Sequence, residues 1–129
     1  MINVLIVDDH KSFAEALELV LRSTLASCPR CACATSIAEG LRLVSENGPF
    51  DLAVVDLMLP DGNGIAVVRE IKAQSPGTPV AVVSASEDLS EALAEGADEA
   101  IPKDTGFAEI VASLARLAGV PYRSSPQGS

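Results

Sequence analysis

The chain has 129 residues, 48% of them hydrophobic and 21% charged, which suits one domain with a real core and excludes an intrinsically disordered chain. Eighteen acidic residues against nine basic leave a formal charge of −9, which argues against a chain that grips nucleic acid or an anionic membrane by itself and suits cations or basic surfaces. No run approaches the roughly 20 apolar residues of a membrane span, and no basic stretch of a secretory signal opens the chain, so a cytoplasmic location is expected.

Ile2 to Val7 is a short apolar run stopped by Asp8 and Asp9, and it reads as a buried strand. Phe13, Leu17, Val20 and Leu21 then share one helical face until Pro29 breaks the pattern. Residues 30–35 form a weaker second strand. Ser36, with Glu39 three residues on, opens a second helix through a capping box, and Ile37, Leu41 and Val44 face inward. Asn47, Gly48 and Pro49 end it. Asp51 to Asp56 is the third strand, followed by a loop rich in turn residues up to Gly64. Asp61 reads there as a turn former only.

Ile65, Val68 and Ile71 mark a third helix, and Val80 to Val83 a fourth strand that ends at Ser84. A short helical stretch lies around Leu89 to Leu93 and stops at Gly96. Residues 99–102 make a weak fifth strand, and Phe107, Ile110, Val111, Leu114 and Leu117 line the last helix. Five β-α units in a row, with strands that read as continuous apolar runs, imply a parallel sheet with helices on both faces. Residues 1–119 form the expected domain, and 120–129 read as a linker-like or disordered tail.

In such a sheet, function gathers at the carboxyl ends of the strands. Strand one delivers Asp8 and Asp9 there, strand three Asp56, strand four Ser84, and Lys103 follows strand five. Carboxylates crowded within a few ångströms repel unless a cation sits among them, and a hard dication with oxygen ligands, Mg²⁺ above all, answers that need. A lysine and a hydroxyl suit a phosphoryl group, and an aspartate can itself become the acyl phosphate. The residues thus point to a Mg²⁺-dependent aspartyl-phosphate site.

The segments V-D-D-H, V-V-D-L-M-L-P-D-G-N-G, V-V-S-A-S and I-P-K-D, in this order over about residues 1–119, resemble the receiver domain of two-component response regulators. The V-D-D-H start is most similar to receivers of LuxR-type DNA-binding regulators. The resemblance implies a flavodoxin-like (βα)5 fold with strand order 2-1-3-4-5. It implies Asp56 as phosphoacceptor, Asp8, Asp9, Asp56 and the Met58 carbonyl as Mg²⁺ ligands, and Ser84, the Ala85 N–H and Lys103 as phosphoryl contacts. A histidine kinase or phosphotransfer protein would donate the phosphoryl group, and the domain would be a signalling module rather than a classified enzyme. A conformational change would then control an output, transcription being the expected one, through a domain outside this chain. The linker-like tail points to the front part of a longer regulator.

Two features depart from the family pattern. The aromatic residue that receivers carry in the fifth strand is Ala100 here, and the stretch from Ser84 to Lys103 is a few residues short. Helix four is therefore expected to be short or irregular and the output face to work differently. A homodimer through apolar area exposed there is an expectation of the same kind. The competing reading is a phosphorylation-independent pseudo-receiver acting as an interaction module, whose usual sign, loss of a site residue, is missing. His10 reads as a solvent-facing residue rather than a relay or metal residue. Cys28, Cys31 and Cys33 read as buried structural thiols, since a zinc site wants four ligands and no fourth lies nearby.

Overall fold

The structure, a computed structural model, describes residues 2–25, 29–86 and 89–119. Cys28, the acidic pair Glu87 and Asp88, and the expected tail at 120–129 lie outside the described residues. In chain order the elements are β1 (Asn3–Val7), α1 (Lys11–Thr24), β2 (Arg30–Ala34), α2 (Ile37–Asn47), β3 (Leu52–Val55), β4 (Met58–Leu59), β5 (Gly62–Asn63) and α3 (Ile65–Gln74). The chain continues through β6 (Val80–Ser84), α4 (Ser90–Ala94), β7 (Glu99–Pro102) and α5 (Phe107–Ala118). The main sheet runs β2-β1-β3-β6-β7, and every neighbouring pair in it is parallel. With the small hairpin set aside, this is the flavodoxin-like order 2-1-3-4-5.

The burial of each strand explains how well it reads in sequence. β3 and β6 are buried at every position and β1 at all but Asn3, because helices cover both faces of the sheet centre. β2 and β7 are the edges and are only partly buried, with one fully buried residue each, which is why their sequences look weak. On one face Leu5, Val7, Ala53, Val55, Val80 and Val82 meet α2, α3 and α4 through Val44, Val67, Ile71 and Ala92. On the other, Val4, Ile6, Val54, Ala81, Val83 and Ile101 meet α1 and α5 through Leu17, Leu21, Ile110 and Leu114. Each Val, Leu or Ile among these contributes about 1.5–3 kcal/mol when fully buried, so a core with almost no aromatic residue is sufficient.

Local signals match the helix ends. The Ser36 side chain accepts the Glu39 N–H at 3.1 Å, and the Glu39 carboxylate takes the Thr35 N–H at 2.8 Å, one residue before the usual partner of a capping box. The expected short fourth helix is α4, five residues long. Two expectations need correction. The stretch after β3 is not all loop, because Met58 and Leu59 pair antiparallel with Asn63 and Gly62. The thiols are not uniformly buried: Cys31 is half-buried and Cys33 exposed. Both lie on the edge strand β2, where Cys33 Sγ donates to the Glu18 carboxylate at 3.8 Å. Burial, followed by the charge of Glu18, pushes the Cys31 thiol up to about 12, so neither sulfur sits in the electropositive setting that makes a cysteine reactive.

Candidate functional site

The site lies where the sheet ladder runs one residue past its strands. The Asp8 N–H donates to the Ala34 carbonyl at 2.9 Å, the Asp56 N–H to the Val7 carbonyl at 2.8 Å, and the Lys103 N–H to the Ser84 carbonyl at 2.9 Å. These bonds fix the Cα positions from which Asp8, Asp56 and Lys103 leave the sheet, all at its carboxyl edge.

Asp56 is nearly enclosed, with its side chain 1% exposed. Its Oδ1 accepts the Ser84 hydroxyl at 2.7 Å and the Met58 N–H at 3.1 Å. Its Oδ2 accepts Lys103 Nζ at 3.0 Å, and the same ammonium reaches Asp8 Oδ2 at 2.8 Å. Burial works against the Lys103 charge, but hydrogen bonds to Asp8 and Asp56 and their charges outweigh it, so its pKa lies above the ordinary lysine value. The ammonium also sits 4.6 Å from the centre of the Phe13 ring, which packs on Phe107 with ring centres 5.5 Å apart. The Phe13 ring of α1, backed by Phe107 of α5, thus packs against the lysine and favours its charged form. A cleft of about 350 Å³, lined in part by Ser84, Ala85, Leu89 and Lys103, opens beside these groups.

The sequence-predicted residues Asp8, Asp56, Ser84 and Lys103 are therefore brought together by direct bonds. Asp9 joins them through proximity: one ligand atom each from Asp8, Asp9, His10 and Asp56 lies within 4.8 Å of the others. Met58 contributes its N–H to Asp56, and its side chain points away, 55% exposed. Three carboxylates against one ammonium leave two formal negative charges in this volume. The donor set is hard oxygen, so its chemistry and charge fit a dication.

Three residues carry more than their sequence context suggested. His10 is solvent-exposed as expected, at 60%, yet its Nδ1 faces the site, 3.0 Å from Lys103 Nζ and 3.2 Å from Asp8 Oδ1. Asp61 is not merely a turn former. Its carboxylate accepts the N–H groups of Ile37 and Ala38 at the start of α2, and these bonds hold its carboxyl below the usual carboxylate range. Gly64 lies so close to the Asp56 carbonyl that a Cβ would stand 2.0 Å from that oxygen. The spacing D-G-N-G hints at Gly64, whereas the contact of Asp61 with a helix more than twenty residues away leaves no local signature.

Comparison with known proteins agrees with this geometry. A model of the response regulator receiver domain matches residues 4–115, and the chain belongs to that family. It is 36% identical over 128 residues to the response regulator protein PilR of Pseudomonas aeruginosa, covering 95% of this chain but 28% of PilR. The chain thus spans under a third of that relative. Among solved structures, the non-phosphorylated HemR receiver domain of Leptospira biflexa is similar with TM-score 0.81 and 30% identity, covering 97% of this chain and all of that one. The receiver domain of a Pseudomonas aeruginosa sensor histidine kinase, solved with a magnesium ion coordinated in its active-site cleft, is similar with TM-score 0.76 and 25% identity over 92% of this chain and 98% of that one.

Proposed function

We propose that this receiver domain takes a phosphoryl group onto Asp56 from the phosphohistidine of a histidine kinase or phosphotransfer protein, and that it works in the cytoplasm as a signalling switch rather than a classified enzyme. The observation that carries the reading is the shared hold of Ser84, Met58 N–H and Lys103 on the two Asp56 oxygens. An Asp56 oxygen attacks phosphorus as the phosphorus–nitrogen bond of the donor breaks. The donors now spent on the carboxylate, the Ser84 hydroxyl and the Lys103 ammonium, then turn to the phosphoryl oxygens. Asp8, Asp9, Asp56 and the Met58 carbonyl would hold Mg²⁺, which when bound neutralises the crowded carboxylates and incoming phosphoryl oxygens. Water later cleaves the acyl phosphate and regenerates Asp56.

The drawing of Ser84 toward the phosphoryl group moves the segment between β6 and β7, and a domain outside this chain reads that change as transcription control. No aromatic side chain takes part, because Ala100 holds that place in β7. The segment that follows α4 is instead tied back to α3 by Arg69 with Glu95 at 2.8 Å and Lys72 with Asp98 at 2.8 Å. These ion pairs are the expected control points of the switch.

Acetyl phosphate with Mg²⁺, followed by intact-mass measurement, tests both halves. An adduct of about 80 Da on the wild type, absent from Asp56→Ala, is expected, with amide shifts across residues 84–103. Absence of any adduct overturns the phosphoacceptor reading and leaves an interaction module. An adduct with an unmoved amide spectrum overturns the switch.

A further inference from the structure

Phosphoryl transfer to Asp56 leaves His10 without a task, although its ring reaches into the same cluster. Its backbone N–H donates to Asp8 Oδ1 at 2.8 Å, which pins the residue against the acidic pair at the start of α1. From there Nδ1 stands 3.2 Å from Asp8 Oδ1, 3.5 Å from Asp9 Oδ1 and 3.7 Å from Asp56 Oδ2. A six-coordinate dication with bonds of about 2.1 Å sets neighbouring donors about 3.0 Å apart and opposite donors about 4.2 Å apart. All three distances lie between those values, so small side-chain movements would let one ion meet the imidazole and the carboxylates together.

The partners of Nδ1 point the same way. The nitrogen faces carboxylate oxygens, which only accept, and at 3.0 Å the Lys103 ammonium, which only donates. One ring nitrogen cannot serve both. A cation at the centre of the cluster satisfies the nitrogen and the carboxylates at once. The ring is 60% exposed, so it can adjust to an ion without disturbing the core.

We propose that His10 is an additional metal donor of this site, through Nδ1, and that it tilts the preference of the site from Mg²⁺ toward Mn²⁺ and other dications that accept an imidazole nitrogen. Oxygen-only sites suit Mg²⁺, whereas affinity for later first-row dications rises when a nitrogen replaces water. The proposal rests on the metal site of the receiver reading, and its test separates the two.

The chain contains a single histidine, so any imidazole bound to a metal belongs to His10. The untagged 129-residue chain is titrated with Mn²⁺ and, in competition, Mg²⁺, and the bound Mn²⁺ is read by electron spin-echo envelope modulation. The wild type is expected to show imidazole ¹⁴N modulation that disappears in His10→Ala and in His10→Gln. The ratio of Mn²⁺ to Mg²⁺ affinity should fall about tenfold in both variants, the lower end of what losing one partner of a metal site costs. Bound Mn²⁺ with no imidazole modulation and an unchanged ratio overturns the role of His10 while the receiver reading stands. No Mn²⁺ or Mg²⁺ binding to any of the three proteins overturns both.

Discussion

Asp9 is the most exposed of the three site carboxylates, at 35% of its side chain, and Lys103 reaches the other two but not this one. Without a metal its charge mainly repels Asp8 and Asp56, at a cost of about 1 kcal/mol for a pair at this separation in a high-dielectric setting. Asp9→Asn should therefore raise the stability of the metal-free protein by about 1 kcal/mol in urea unfolding. The same change should remove most of the stabilisation that millimolar Mg²⁺ confers on the wild type. Equal stabilisation of both proteins by Mg²⁺ would show that Asp9 is not a ligand. This is the usual exchange of stability for function at a charged site. At this scale the residue types Asp, Asp, Ser and Lys were legible, because each ends a strand. The aim of the His10 ring was not, since only the folded site determines which way an exposed imidazole turns.

Among the elements, the hairpin of β4 and β5 is the one that supports the phosphoacceptor. It closes by the Gly64 N–H donating to the Leu57 carbonyl at 2.9 Å, and it lays Gly64 on the backbone of Asp56. The φ of Gly64 is −62°, which any residue adopts, so the demand is for space and not for backbone freedom. Gly64→Ala must move the Asp56 carbonyl or the start of α3. Overpacking of this kind costs about 1–3 kcal/mol, and the rate of phosphorylation by acetyl phosphate should drop with it. Normal stability together with a normal rate would mean that the backbone yields freely there. The helices and strands themselves were readable from periodicity, α5 and the central strands best. The hairpin was hidden by its length, for two-residue strands carry no alternation to detect.

Across the whole molecule, Asp98 joins three elements of the chain. Its carboxylate accepts the Val80 N–H at 2.8 Å at the start of β6 and Lys72 Nζ at 2.8 Å from α3, and it directly precedes β7. Burial pushes its carboxyl up, but hydrogen bonds from Lys72 and the Val80 N–H outweigh that and hold it below the usual value. A carboxyl lowered by folding adds stability above its unfolded pKa of about 3.9, and that stability is lost as pH falls through the folded value. Asp98→Asn should therefore lose about 1 kcal/mol at neutral pH, a charge-assisted bond discounted for the partial exposure of the pair. Its stability should also fall less steeply than that of the wild type below about pH 4. Parallel acid-unfolding curves for the two proteins would count against this role.

The formal charge of −9, met first as a property of composition, divides on the same scale. Three of the acidic residues converge at one end of the sheet, and others serve as anchors, such as Asp61 on α2 and Asp98 on β6. The sequence by itself determined the succession of β-α units, the strand ends that carry chemistry and the shortness of α4, because hydrophobic period and strand-ending polar residues are local properties of a chain. Only the tertiary structure decided that Lys103 bridges Asp8 and Asp56, that the Phe13 ring packs against it, and that His10 turns its nitrogen toward the carboxylates. Those contacts join residues as many as ninety-five positions apart in the chain, and packing, not pattern, sets their distances.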